Sequence, residues 1–262
     1  MARSPRGRKR RRPIVFAVAT CVVLAAATWA FTVIVLDDLS RIRPDCQEED
    51  PPFELGPRAV CASSGAADAD GDGIPDEIVL YLEREVHGSY RIVIRVEFFS
   101  GGEARVAVGR VDAGAPIFAR LYGVVDLDGQ PGKEILFVED LGANSISLGL
   151  VTAVRGNLRR VPVHQDGSWT PATLVVGAAI SHGSGFACTG RRGDQRPRLE
   201  QRWFSASFDD PHSWTWNKTV FRWEGKKLLF FEEDAGVVRT EDWGSDPRPA
   251  RYIGGDCDLQ LV

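Results

Sequence analysis

Beyond residue 36 the chain has no long helical period: no stretch repeats apolar side chains every 3.6 positions between caps, which argues against a helical bundle. Metal-ligand spacings of cysteine and histidine are missing too. His87, His164, His182 and His212 are scattered, and no two cysteines stand close enough to form a zinc ribbon or finger. His182-Gly183-Ser184-Gly185-Phe186 sets a serine between glycines beside a histidine. It is not a nucleophile elbow, and sequence neighbours cannot supply the geometry of a catalytic triad. No glycine loop of the phosphate-cradling kind and no dinucleotide fingerprint occurs. These absences leave no catalytic motif. One sign of charge is also missing from the start of the chain, where no acid precedes Asp37.

The most informative stretch is Ala67-Asp68-Ala69-Asp70-Gly71-Asp72-Gly73-Ile74-Pro75-Asp76-Glu77. Asp68, Asp70, Asp72 and Asp76 take positions 1, 3, 5 and 9 of a loop with Gly73 at position 6. Carboxylates packed this closely repel one another, and a hard cation relieves the repulsion. Calcium accepts six to eight oxygen ligands in irregular geometry, and the Ile74 carbonyl at position 7 is a further candidate ligand. Position 12 of a helix-loop-helix site would be a glutamate. Here it is Val79, inside the apolar run Ile78-Val79-Leu80-Tyr81-Leu82, so the loop is expected to lead into a buried strand.

A second acidic loop follows 58 residues later, from Asp126 through Asp128 and Gly129 to Glu134, again ahead of an apolar run. A period of this size suggests a repeat array. With these two stretches the chain resembles the FG-GAP repeats of integrin α chains and the related bacterial VCBS-type repeats. Their shared pattern is Asp-x-Asp-x-Asp-Gly, an acidic residue and a β-strand. The resemblance implies calcium held at a blade edge of a β-propeller. Asp68, Asp70, Asp72 and Asp76 match that pattern; in the second copy Asp126, Asp128 and Glu134 match, while Gln130 and Pro131 depart from it and Lys133 adds a positive charge nearby. The second copy therefore reads as weakened. The resemblance covers about 16 residues twice; elsewhere the likeness to secreted or membrane-anchored bacterial proteins is compositional.

Residues 1–13 carry seven basic side chains, and Ile14 to Leu36 run 23 residues without a charge. At ~1.5 Å per residue that run crosses a hydrocarbon core of ~30 Å as a helix. The basic flank sets the N-terminus in the cytoplasm and everything after Asp37 outside. An uncleaved anchor is the favoured reading; the small residues Ala25-Ala26-Ala27 and Thr28-Trp29-Ala30 leave a cleaved signal peptide, and so a secreted protein, as the alternative. Set directly before a membrane span, the basic run reads as a topology signal rather than a nucleic-acid patch. The remaining 25 basic residues face all 36 acids, so the outer part carries −11, which disfavours nucleic acid as a partner.

Residues 37–60, with four prolines and several acids, read as a stalk. Residues 61–262 then form the outer domain, long enough for its own core. Tyr90–Phe98 and Ala104–Val111 alternate apolar and polar residues around Gly101-Gly102, a hairpin pattern. Further strands are expected at 118–125, 134–138, 146–154, 158–163, 199–207, 214–223 and 228–231. The fold class is thus mainly β, either a small β-propeller or a β-meander or sandwich. Cys21 falls in the apolar segment. Cys46, Cys61, Cys188 and Cys257 lie in an oxidising compartment, and the favoured pairing is Cys46–Cys61 with Cys188–Cys257. Trp214 and Trp216 should share one face of a strand, either as core or as a binding platform. The expectation is a membrane-anchored, calcium-binding β module that binds an extracellular protein or carbohydrate. The alternative is a surface hydrolase braced by calcium, which would require convergent carboxylates in a pocket away from the loops.

Overall fold

A computed structural model describes residues 59–85, 89–112, 120–179, 182–189, 197–207, 210, 213–239, 254–255 and 257. The basic segment, the apolar segment 14–36, Cys46 and most of the stalk lie outside the described residues. Among those described, every regular element is a strand, and no helix is long and apolar enough to cross a membrane.

Four strands come first: β1 (Ala59–Ala67), β2 (Asp76–Arg84), β3 (Tyr90–Glu97) and β4 (Glu103–Val111). They pair in chain order as an antiparallel meander. β1 begins two residues inside the stretch read as stalk. Alternation decides the two faces of this sheet. Ile78, Leu80, Leu82, Ile92, Ile94 and Val96 point into the main core, while Val79, Tyr81 and Val93 form a smaller cluster on the opposite side.

The main core is closed from across by β5 (Leu121–Val125), β6 (Glu134–Leu141), β7 (Ile146–Val154) and β8 (Asn157–Arg160). Val124, Ile135, Phe137, Val151 and Leu158 meet the meander's inner face. Fully burying each such side chain contributes roughly 1.5–3 kcal/mol. The second sheet continues through β9 (Pro162–Gln165), β10 (Ser168–Pro171), β11 (Thr173–Ala179), β12 (His182–Thr189), β13 (Arg198–Ala206), β14 (Ser213–Trp223) and β15 (Leu228–Arg239). Its order is β10-β9-β15-β14-β13-β12-β11-β7-β6-β5, and β16 (Gly254–Gly255) lies parallel to β12.

β11 serves two partners. Thr173–Val176 pair with β7 and Gly177–Ala179 pair with β12. The change falls at Gly177, whose φ is +142° and whose added Cβ would lie 2.3 Å from the Asn144 carbonyl oxygen. Strands that switch sheets bend in this way. The backbone of Val175, turned away from β12, is met by a side chain instead. Gln201 Oε1 accepts the Val175 N–H at 2.9 Å, and Gln201 Nε2 donates to the Val175 and Gly185 carbonyls at 2.8 and 2.9 Å.

The sheets of the described residues are open, and they form no closed propeller. The mainly β expectation holds, and the propeller alternative does not. Of the expected disulfides, Cys188–Cys257 is present, with Cα atoms 5.0 Å apart.

Candidate metal centres and a cleft

The first acidic loop connects β1 to β2 and folds around its own carboxylates. Asp68 Oδ1 accepts the Gly71 N–H at 2.7 Å and Oδ2 the Gly73 N–H at 3.0 Å. Asp70 Oδ1 accepts the Asp72 N–H at 3.1 Å. Asp76, buried at the head of β2, accepts the Ala69 and Asp70 N–H groups on Oδ2 at 2.8 and 3.3 Å, and that of Phe99 on Oδ1 at 3.0 Å.

Asp68, Asp70 and Asp76 each bring one carboxylate oxygen within 4.8 Å of the others. Oxygens ~2.3–2.6 Å from one calcium ion lie at most about 5 Å apart, so this spacing fits a shared ion. Desolvation raises the Asp70 carboxyl above its ordinary value, and the like charges of Asp76, Asp72 and Asp68 push the same way. Asp72 is not among the three carboxylates that meet; it is exposed and its Oδ1 accepts the Ile74 N–H at 2.7 Å.

The second loop, between β5 and β6, repeats this frame. Asp126 Oδ1 accepts the Gly129 N–H at 2.7 Å, Asp128 Oδ1 the Gln130 N–H at 2.9 Å, and Glu134 Oε2 the Leu127 N–H at 2.9 Å. Glu134 stands where Asp76 does, and Leu127 where Ala69 does. Asp126, Asp128 and Glu134 also bring oxygens within 4.8 Å of one another. Here, however, a base lies among the acids. Lys226 Nζ sits 2.9 Å from Asp128 Oδ2 and 3.1 Å from Glu134 Oε1. Burial, reinforced by Asp128, pushes Glu134 up to about 7 against the pull of Lys226. The two carboxylates in turn raise Lys226 in spite of its desolvation, so it keeps its charge.

The two loops interlock. Lys133 N–H donates to the Asp68 carbonyl at 3.0 Å. Gly71 and Gly132 have left-handed φ of +87° and +89°. A Cβ on Gly71 would lie 2.5 Å from the Pro131 carbonyl carbon, and one on Gly132 2.6 Å from the Ala69 carbonyl oxygen. Only glycine permits both the turn and the approach.

Sequence reasoning singled out Lys133 and missed Lys226. Its only local signal is Glu224-Gly225, which marks a turn. Nothing in the chain says that this turn reaches a glutamate 92 residues earlier.

A separate cleft of about 730 Å³ opens over β12–β15. Its described lining includes Trp203, Trp216, His182, Ser184, Thr215 and Asn217. Trp216 borders this cleft, whereas Trp214 packs against the buried Phe204 with ring centroids 5.6 Å apart. Among the described residues that line it there is no Asp, Glu, Lys or Arg.

No protein-family model, curated protein or solved structure matches this chain. The likeness to FG-GAP and VCBS-type repeats therefore rests on the two loops alone.

Proposed function

We propose that this is a membrane-anchored, extracytoplasmic β module with FG-GAP-like loops, stabilised by calcium at the first of them and built to bind rather than to hydrolyse. One observation carries the metal reading: three carboxylates bring oxygens within 4.8 Å of one another, and desolvation, reinforced by like charges, raises one of them. An all-oxygen donor set selects a hard cation. Asp68, Asp70 and Asp76 would hold it, and the ion would supply charge compensation, not chemistry. Outside the cell a dissociation constant of ~10⁻⁴–10⁻³ M suffices.

The cleft favours binding over the hydrolase alternative, because its described lining lacks the convergent carboxylates that glycoside cleavage uses. Indoles beside hydroxyl and amide groups suit a neutral ligand with apolar faces, such as a carbohydrate or an uncharged protein surface. Anchorage rests on the 23-residue apolar segment and its basic flank.

The test is thermal melting of the protein in calcium and in chelator, repeated on Asp70→Ala. An ion that binds only the folded chain adds ~2.7 kcal/mol at a hundredfold excess over its dissociation constant. Calcium should raise the melting temperature of the wild type and leave Asp70→Ala unmoved. Identical wild-type melts in both buffers would remove the metal from the proposal.

A further inference from the structure

The second loop already contains a positive charge of its own. Lys226 projects from the turn between β14 and β15, where Gly225 takes a φ of +60° and Glu224 N–H bonds the Lys227 carbonyl at 2.9 Å. Its ammonium lies 2.9 and 3.1 Å from two carboxylates that are 1% and 0% exposed, those of Asp128 and Glu134. Asp128 Oδ2 is fully buried and has no aligned hydrogen-bond donor, so the charge on Lys226 is what compensates it. Buried carboxylates left without a counter-charge are strongly disfavoured.

Three hydrogen bonds of the first loop, on Asp68, Asp70 and Asp76, recur on Asp126, Asp128 and Glu134. Besides Gln130 and Pro131 in place of Asp72 and Gly73, the second loop differs in holding the Lys226 ammonium. We infer that Lys226 is the resident cation of the second loop, and that its ammonium and a divalent ion exclude each other there. An ion entering beside the ammonium would meet a like charge at hydrogen-bond distance, between two buried carboxylates. The protein thus takes up one divalent ion per chain, and the second loop needs none. That count rests on the calcium reading of the first loop; the exclusion at the second does not.

Calorimetric titration with calcium separates the two statements when run on wild type, Lys226→Met, Asp70→Ala and the double variant. We expect one ion for wild type, two for Lys226→Met, none for Asp70→Ala, and one again for the double variant. The inference is overturned if Lys226→Met takes up no more ions than wild type, or if wild type takes up two. No ion in wild type but one in Lys226→Met would refute the first-loop reading while upholding the exclusion. If Lys226→Met folds poorly without metal, its melting in calcium and in chelator decides the matter. A calcium-induced rise larger than that of wild type supports the inference, and an equal or smaller one defeats it.

Discussion

Glu77 follows Asp76 in β2 and stands directly opposite Glu97 on β3. Desolvation, then the Glu97 charge, raises its carboxyl above the ordinary 4.5. A group raised on folding adds stability below its unfolded value, about 4.5, and loses that contribution as pH climbs through the folded value. At neutral pH Glu77 is therefore a small liability, because like charges facing each other across strands repel. Glu77 is exposed, so solvent screens this repulsion. Glu77→Gln should stabilise the protein slightly at pH 7, by at most a few tenths of a kcal/mol, and less at pH 4, as read from urea midpoints at both pH values. At the same scale, the acidic clusters were legible wherever a local pattern carried them. Asp68, Asp70 and Asp76 were picked out by their loop spacing, and Asp126, Asp128 and Glu134 by their match to the FG-GAP pattern; both trios come together. Asp72 has the right spacing too, yet its carboxylate is not among the three that lie within 4.8 Å of one another. Lys226 was illegible, since it meets its partners only through tertiary folding.

Among the elements, strands with two distinct faces could be read from the sequence. Tyr90–Glu97 alternates apolar and polar residues along most of its length and Ile146–Val154 is rich in apolar residues, and strands form at both. Expectation failed where one face is glycine or both faces are polar. Thr173–Ala179 and His182–Thr189 contain Gly177, Gly183 and Gly185, which break the alternation. β15 runs on from Phe231 to Arg239 through Glu232-Glu233-Asp234, a charged stretch held by pairing with β14 rather than by burial. The expected strand 158–163 is two strands, β8 and β9, parted at Val161, whose N–H bonds the Leu150 carbonyl. The interlocked loops carry the element-scale prediction. Gly71→Ala adds a Cβ at a left-handed φ and against Pro131, so it should cost more than ~1 kcal/mol in chemical denaturation. Gly73→Ala shares the φ of +87° but meets nothing within 4 Å. It should therefore cost less, and the difference between the two reports the contact between loops.

At the scale of the whole molecule, the last described residues return to the middle of the long sheet. β16 lies beside β12 at Gly185 and Phe186, and Cys257 is bonded to Cys188 across 69 positions of sequence. Closing so long a loop removes much of the freedom of the unfolded chain, typically ~2–5 kcal/mol. Cys188→Ser, or a reducing agent, should lower the urea midpoint accordingly. Calcium should still raise the melting temperature of Cys188→Ser, because the first acidic loop lies outside the bridged stretch. The same covalent tie has a mechanical consequence. If the chain is gripped at its ends and drawn out, the span between the two sulfurs cannot extend while the bond is intact, and at ~3.3–3.6 Å per residue the stretched length falls short by roughly 230–250 Å. In the membrane-anchored module proposed above, pulled from outside, β12 to β16 would thus make up a stop that bounds how far the molecule yields before chemistry, rather than force, lets it go further.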